Sequence, residues 1–316
     1  MSSDQTDSTT TESTATDSTT TQDARPPVVV TPAVLRDWPL PGPGASKYDR
    51  GQVLVVGGDR RSPGAALLAA EGTLRVGAGR LTIALAESVA LTAAVALPES
   101  GVVPLPERSG HIDGASIDEA ADDLGSADAV LVGPGLDDAD EAKRMLDRLP
   151  ALVGESTVLV LDAYALGVLP DSAAREALDG RLVLTPNVGE AGRLLASTYD
   201  AELAEGDDPD LGAVARAVAR EYGAVVSCQN RIAHPDGRLW IVGTGHGGLG
   251  TSGSGDVLAG AITGLCARGA SLEQAAVWAT HAHAAAGDRL AVRVGPLGFL
   301  ASELLTELPR VLVEVG

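Results

Sequence analysis

The chain has 316 residues and 45% hydrophobic content, enough to bury one large core or two modest ones. Its formal net charge of −20 at pH 7 argues against nucleic acid and membrane surfaces as partners, since both are usually anionic. Cys228 and Cys266 are too few and too far apart for a disulfide framework or a paired-cysteine metal site. Without a secretion signal or a membrane-length apolar run, the sequence indicates a cytoplasmic protein.

The basic residues are mostly arginine, because only Lys47 and Lys143 among 23 basic residues are lysine. Excess acid, scarce lysine and a single phenylalanine, Phe299, are typical of proteins in a salty cytosol, where ions screen surface repulsion. We therefore predict a halophilic protein, and an ordinary acidic protein from a GC-rich genome is the alternative.

Residues 1–26 are rich in Ser, Thr and Asp and predict a disordered tail, because they cannot bury enough apolar surface to order themselves. A single domain is expected over residues 27–316. Short β-branched apolar runs in it alternate with Ala- and Leu-rich helical stretches. The predicted strands are 52–56, 80–85, 129–132, 158–161, 182–184 and 224–227, and the predicted helices between them include 63–75 and 140–148.

Strands at 231–233 and 238–242 flank a turn at 234–237 and predict a hairpin. After Asp256 the chain is predicted to be helical, with a break near residues 293–298. Strands apolar on both faces that alternate with helices indicate an α/β fold, with a mostly parallel sheet covered by helices on both faces.

A glycine-rich stretch, residues 250–260, leads into one of these helices. Its centre is Gly253-Ser254-Gly255-Asp256, and a helix N-terminus of this kind offers unpaired amides to an anion. Since a carboxylate opposes an anion, Asp256 is predicted to take a proton or hold a metal ion. A glycine turn with an acid that complements the helix dipole is the plainer interpretation of this motif alone.

Several other loops are predicted to meet this stretch at the carboxyl edge of the sheet, where ligands of such folds bind. They contain Gly57-Gly58-Asp59, Gly133-Pro134-Gly135, Asp162 and Thr185-Pro186-Asn187. The glycines fit neither a dinucleotide-binding fingerprint nor a P-loop, so both of those classes are excluded.

Seven collinear stretches carry a family resemblance: residues 47–59, 62–85, 129–137, 158–166, 184–195, 244–265 and 295–309. Together they resemble the ADP/ATP-dependent NAD(P)H-hydrate dehydratases, which are ribokinase-like enzymes. The resemblance covers most of the domain and implies a three-layer α/β/α fold. It further implies a repair reaction, in which ADP or ATP phosphorylates the hydroxyl on hydrated NADH or NADPH and loss of phosphate restores the reduced cofactor.

The resemblance also implies residue roles. Asp256 would take the hydroxyl proton, the amides of Gly253, Ser254 and Gly255 would stabilise the transferred phosphoryl group, and Mg²⁺ would bridge the phosphates. Glu190 would lie near the metal and the phosphates, and family members commonly form homo-oligomers. The implied substrate contacts are Ala65, Gly135, Asn187 and Asp256, and the implied nucleotide contacts are Cys228, Gln229, Asn230 and Gly255.

The sequence departs from the family pattern at four places in this site. Tyr164 replaces an acid, Asn187 a histidine and His246 an asparagine, while Cys228-Gln229-Asn230 stands where the family has a nucleotide-binding Lys-Gly. Asn187 can still donate and accept hydrogen bonds. Two alternatives therefore stay open: a ribokinase-like kinase for a small alcohol of the hydroxymethylpyrimidine or thiazole type, and a non-catalytic relative.

His281 and His283 stand two residues apart in a predicted helix and point in different directions. This spacing suits helix packing or a subunit contact better than a shared metal ion.

Overall fold

The computed structural model describes residues 25–206, 208–245 and 247–316 of the chain. Most of the predicted tail, residues 1–26, lies outside the described residues, and so does His246, one of the four departures from the family pattern.

Ten of the described strands form one sheet in the order β1-β12-β11-β10-β9-β8-β7-β2-β3-β4, and β5 and β6 form a separate hairpin. Strand β11 runs antiparallel to its two neighbours, and the other pairings in the ten-stranded sheet are parallel. The strands are β1 Val28–Val30, β2 Gln52–Val56, β3 Arg80–Ala86, β4 Gly101–Leu105, β5 Glu107–Arg108, β6 His111–Ile112, β7 Ala129–Val132, β8 Val158–Leu161, β9 Leu182–Leu184, β10 Val225–Cys228, β11 Arg231–Ala233 and β12 Leu239–Val242.

Helices cover both faces of this sheet. They are α1 Pro32–Arg36, α2 Pro63–Arg75, α3 Glu87–Ala96, α4 Ala121–Ser126, α5 Ala139–Leu152, α6 Tyr164–Val168, α7 Ala174–Ala177, α8 Val188–Leu195, α9 Leu211–Tyr222, α10 Ser254–Ala267, α11 Leu272–Arg293 and α12 Ala301–Val315. Buried side chains of α2, α3, α10, α11 and α12 share one core, and those of α4 to α9 share the other.

The central strands supply both cores because neighbouring side chains on a strand point to opposite faces. On β2, Val53 and Val55 belong to the first core, whereas Leu54 and Val56 belong to the second. This double burial is why the strands are apolar without alternation, and it confirms the predicted mostly parallel α/β/α architecture.

Most predicted bounds agree with the structure, with small differences. The strand expected at 224–227 is Val225–Cys228, because Gly223 ends α9 in the left-handed region and Ala224 leads into the sheet. The helix expected at 140–148 is longer at both ends. The helical region after Asp256 has a second break before Leu272, where Gly269 adopts a φ of +88°. No helix in the described ranges is long and apolar enough to cross a membrane.

Candidate active site

The loops after β2 and β7 are joined by backbone hydrogen bonds at the carboxyl edge of the sheet. The amide of Gly58 donates to Pro134 O at 2.8 Å, and that of Asp59 donates to Gly135 O at 2.9 Å. Gly133, at a φ of +128°, lies so close to Asp162 that a Cβ would stand 1.8 Å from the Asp162 carbonyl oxygen. Glycine is therefore required at position 133. The ends of β2, β7 and β8, which were predicted to lie together, do meet.

Ala65 and Gly135, two predicted substrate contacts, lie against each other. A Cβ built on Gly135 would stand 3.2 Å from the Ala65 side chain and 2.3 Å from the carbonyl oxygen of Ser62. The head of α2 thus packs directly onto the loop after β7, and a larger residue at position 135 would push the two apart.

Helix α10 begins at Ser254, two residues before Asp256, and Gly253 precedes it in the left-handed region with a φ of +90°. The amide of Ser254 donates to Thr251 O at 3.2 Å. This differs from the predicted anion hole, in which the Ser254 amide was free. The amides of Gly253, Gly255 and Asp256 have no hydrogen-bond acceptor within the described part of the chain, so these three can face an anion.

Acidic side chains gather beside this helix end. Burial raises the pKa of Asp256 to about 6. Asp162 is 7% exposed, and its pKa rises to about 7 through burial first, with the charges of Asp256 and Glu190 adding to the effect. Thr185 Oγ1 lies 2.8 Å from Asp162 Oδ1 and donates to it, which partly offsets the rise. Asp162 is therefore close enough to both Asp256 and Glu190 to be affected by the charge of each.

Asn187 and Glu190 form a reciprocal capping box at the start of α8. The amide of Glu190 donates to Asn187 Oδ1 at 2.9 Å, and the amide of Asn187 donates to Glu190 Oε2 at 2.9 Å. The box fixes both side chains at the carboxyl edge of β9. No hydrogen bond of the Asn187 Nδ2 group is found within the described ranges, so this group is the one that can reach a ligand.

The predicted nucleotide segment forms the turn of the β10–β11 hairpin. Cys228 is fully buried, and burial raises the pKa of its thiol to about 11, so its side chain does not face solvent. Gln229 is exposed at the tip with a φ of +53°, and Asn230 Nδ2 donates to Val242 O at 3.1 Å. Arg231 follows, and its Nη1 is buried without a partner among the described residues.

A neighbouring cluster was not predicted. One side-chain atom each of Asp59, His111 and Asp137, of the kind that can bind a metal ion, lies within 4.8 Å of the other two. Asp59 accepts the amides of Ile112 and Asp137, and burial is the main cause that raises its pKa to about 6. His111 Nδ1 contacts Asp137 Oδ1 at 2.5 Å. The cluster fastens the β5–β6 hairpin to the loop after β7.

The structure thus brings Ala65 together with Gly135, and Asp162 together with Asp256 and Glu190. Tyr164, at the start of α6, is 44% exposed. Sequence reasoning missed His283, whose imidazole contacts Ser254, because helical spacing does not reveal which loop a buried side chain meets. It also missed Arg231, since no motif marks that position.

The oxygen atoms at this site suit a hard cation. Mg²⁺ prefers carboxylate and phosphate oxygens, and a positive ion would relieve the repulsion that Asp162 experiences from Asp256 and Glu190. The donor set of the described residues at this edge therefore fits magnesium brought with nucleotide phosphates.

Solved structures similar to this one identify the class of fold. The fold is ribokinase-like: a ribokinase-like superfamily protein from Enterococcus faecalis superposes with a TM-score of 0.75 at 20% identity, over 91% of this chain and 96% of that one. The ADP/ATP-dependent NAD(P)H-hydrate dehydratase from Bacillus subtilis, co-crystallised with ATP and Mg²⁺, matches with a TM-score of 0.72 at 28% identity, over 93% of this chain and all of that one.

The family follows from sequence. A family model described as NAD(P)H-hydrate dehydratase matches residues 53–310. The ADP-dependent (S)-NAD(P)H-hydrate dehydratase of Xanthomonas campestris is 41% identical over 289 residues, which are 90% of this chain and 95% of that protein. The chain belongs to the NAD(P)H-hydrate dehydratase family. It spans about half the length of the bifunctional NAD(P)H-hydrate repair enzymes that it also matches, such as that of Moorella thermoacetica, of which it covers 49%.

Proposed function

We propose that this chain is an ADP- or ATP-dependent NAD(P)H-hydrate dehydratase, which returns hydrated NADH or NADPH to the reduced cofactor. One observation carries the proposal for the site: Asp256 stands in the first turn of α10 beside the unpaired amides of Gly253 and Gly255. A base beside an anion-binding helix end is the arrangement that phosphorylation of a hydroxyl group needs.

In this proposal Asp256 accepts the proton of the hydroxyl on the hydrated ring. With a pKa raised to about 6, its carboxyl is mostly ionised at neutral pH and is basic enough to receive that proton. The amides of Gly253, Gly255 and Asp256 donate to the phosphoryl group as it is transferred. Loss of the phosphate from the ring then restores the dihydronicotinamide.

Ala65, Gly135 and Asn187 are the proposed substrate contacts. Ala65 and Gly135 lie against each other where the head of α2 meets the loop after β7, and neither has a side chain larger than a methyl group. The Asn187 Nδ2 group, turned away from the capping box, supplies a hydrogen-bond donor. Together they would orient the hydrated ring toward Asp256.

The nucleotide is proposed to lie along the β10–β11 turn. Gln229 at the exposed tip is available for contact there, Cys228 and Asn230 flank it, and Gly255 offers its amide to the phosphates. Arg231 supplies a cation in the place where the family's lysine is missing, because its Nη1 has no protein partner among the described residues. Magnesium bound with the nucleotide would neutralise phosphate charge near Glu190 and Asp162.

A small-alcohol kinase is the second candidate. The base and the free amides would serve it equally well, and Tyr164 stands half-exposed at the head of α6 where the family has an acid. The two functions differ in the fate of the phosphate, which a kinase leaves on its product and a dehydratase releases.

The test is an assay of purified protein with hydrated NADH, Mg²⁺ and either ADP or ATP in molar potassium chloride. Recovery of dihydronicotinamide absorbance together with one phosphate released per cofactor supports the dehydratase. A stable phosphorylated product without cofactor recovery, when hydroxymethylpyrimidine or thiazole alcohols are offered, supports the kinase. Inactivity of the folded protein toward every one of these substrates contradicts both and favours a non-catalytic relative.

We also propose a cytoplasmic setting with high salt and a homo-oligomeric assembly. Both free cysteines are buried, as in proteins of a reducing compartment. On the surface of α3, Leu91 and Val95 are 81% and 76% exposed, which supports a subunit contact there.

A further inference from the structure

Helix α11 lies directly beneath the loop that leads to α10, and small residues on it allow close approach. A Cβ on Gly245 would stand 3.2 Å from the side chain of Ala284, and one on Gly287 would stand 2.7 Å from the side chain of Leu249. Asp288 Oδ2 accepts the Gly245 amide at 3.0 Å. One helix face therefore holds the beginning of this loop.

The end of the loop is held by His283 on the same helix. Its Nε2 atom lies 3.0 Å from Ser254 Oγ and 3.0 Å from the Ser254 carbonyl oxygen. A carbonyl oxygen can only accept, so Nε2 carries the hydrogen and donates to Ser254. Burial lowers the pKa of His283 to about 4, so the ring is neutral and keeps this single donor on Nε2 at physiological pH.

This contact reaches the residue that begins α10. The Ser254 amide donates back to Thr251, while the amides on either side of it are free and Asp256 follows two residues later. A shift of Ser254 would displace these amides and the Asp256 carboxylate together, because all belong to the same turn. Small displacements of this kind are expensive for phosphoryl transfer, which depends on positioning.

We infer that His283 is a positioning residue, which fastens Ser254 to α11 and thereby keeps the free amides and Asp256 in place for phosphoryl transfer. This inference rests on the proposed function. Asp288 fastens the other end of the same loop, so α11 acts as the template on which the anion-binding turn is built.

His281 provides a matched control on the same helix. It is 4% exposed, against 6% for His283, but its Nδ1 has no hydrogen-bond partner within the described residues. Loss of either ring removes a similar buried volume. The effect of losing a buried ring is common to both substitutions, whereas loss of the contact with Ser254 is confined to His283.

The test compares His283→Asn with His283→Gln, whose longer side chain places an amide donor near the position of Nε2, and uses His281→Asn as the control. We expect His283→Asn to lower kcat by about 10- to 100-fold, with KM for the hydrate little changed. His283→Gln should recover much of the loss, and His281→Asn should stay near wild type. Equal kcat values for His283→Asn and His281→Asn at matched thermal stability, or no recovery by His283→Gln, would overturn the inference.

If the proposed function is wrong, the experimental results differ from those expected if only the positioning role is wrong. A folded wild type that turns over no hydrate rejects that function, and the inference is then judged by calorimetric titration with ATP and Mg²⁺. Weaker binding by His283→Asn than by His283→Gln and His281→Asn supports the positioning role, and equal binding by all three variants rejects it.

Discussion

The carboxyl of Asp256 is half-buried at the head of α10, and its chemistry depends on that burial. Burial raises its pKa to about 6 by disfavouring the charged form. A proton on the carboxyl prevents it from accepting the proton of the substrate hydroxyl. If Asp256 is the base, as proposed, its ionisation sets the acid limit of the reaction.

We predict that kcat/KM of the wild type falls by about tenfold per pH unit below about pH 6 and is level above it. The profile should be measured at fixed salt, with the fold checked by circular dichroism at each pH. A level profile down to about pH 5 would show that a group other than Asp256 accepts the proton.

Single residues differ in how well the sequence predicts them. The sequence pattern singled out Gly135 because it follows a strand and Asp256 because it opens a helix, whereas Ala65 was named only by the family resemblance. The structure brings Ala65 and Gly135 into contact. The bond between His283 and Ser254 joins residues 29 positions apart, and no local pattern reports it. The Ser254 amide was expected to be free, but the tight turn formed by Gly253 directs it to Thr251 instead.

At the scale of elements, α10 is held in place by close packing on α2. A Cβ on Gly260 would stand 2.0 Å from the Ala69 carbonyl oxygen, and one on Gly264 would stand 2.6 Å from that of Thr73. The helix that carries Asp256 can approach α2 this closely only because these positions lack side chains.

We predict that Gly260→Ala lowers the free energy of unfolding by about 1–3 kcal/mol or more, because the added methyl group forces the two helix backbones apart. Gly64→Ala on α2 is the control, since nothing lies within 4 Å of its Cβ position and alanine favours the helix. Chemical denaturation in the same salt measures both variants. Equal stability of the two would contradict this account of the packing.

Elements buried on both faces were the easiest to predict. Strands β2, β7, β8 and β9 have the expected bounds, because their continuous apolar runs are bordered by glycine, proline and polar residues. Strand β4 was missed: it begins with glycine, contains Pro104 and lies at the edge of the sheet, where burial imposes no pattern. Helix α3 was also missed, since its alanines give little periodicity.

At the scale of the whole molecule, the sequence predicted the layers but not the order of strands. Most neighbours in the ten-stranded sheet are consecutive strands, but β2 lies beside β7 and β1 lies beside β12, and these two pairings join segments distant in the chain. Composition shows that a strand is buried, but it does not reveal which strand pairs with it. Convergence of the loops was nevertheless predictable, because parallel strands end at one edge.

The net charge of −20 also acts on the molecule as a whole. Repulsion among surface carboxylates opposes the compact state, and the screening length falls from about 10 Å at 0.1 M salt to about 3 Å at 1 M. We predict that raising potassium chloride from about 0.1 M to about 2 M increases stability by at least about 1 kcal/mol, which is about 2–4 °C in melting temperature. Calorimetry measures the change, and an unchanged or lower melting temperature would contradict halophilic adaptation.

The most direct test of the central claim is cofactor recovery by wild type and Asp256→Asn, side by side, from hydrated NADH with Mg²⁺ and ADP or ATP in molar potassium chloride. The account predicts recovery by the wild type and a rate lower by about 10²- to 10⁴-fold in the variant, because the amide cannot accept the hydroxyl proton. Both proteins should bind the nucleotide, which calorimetry verifies. A variant as fast as the wild type, or a folded wild type that recovers no cofactor with either nucleotide, would contradict the claim.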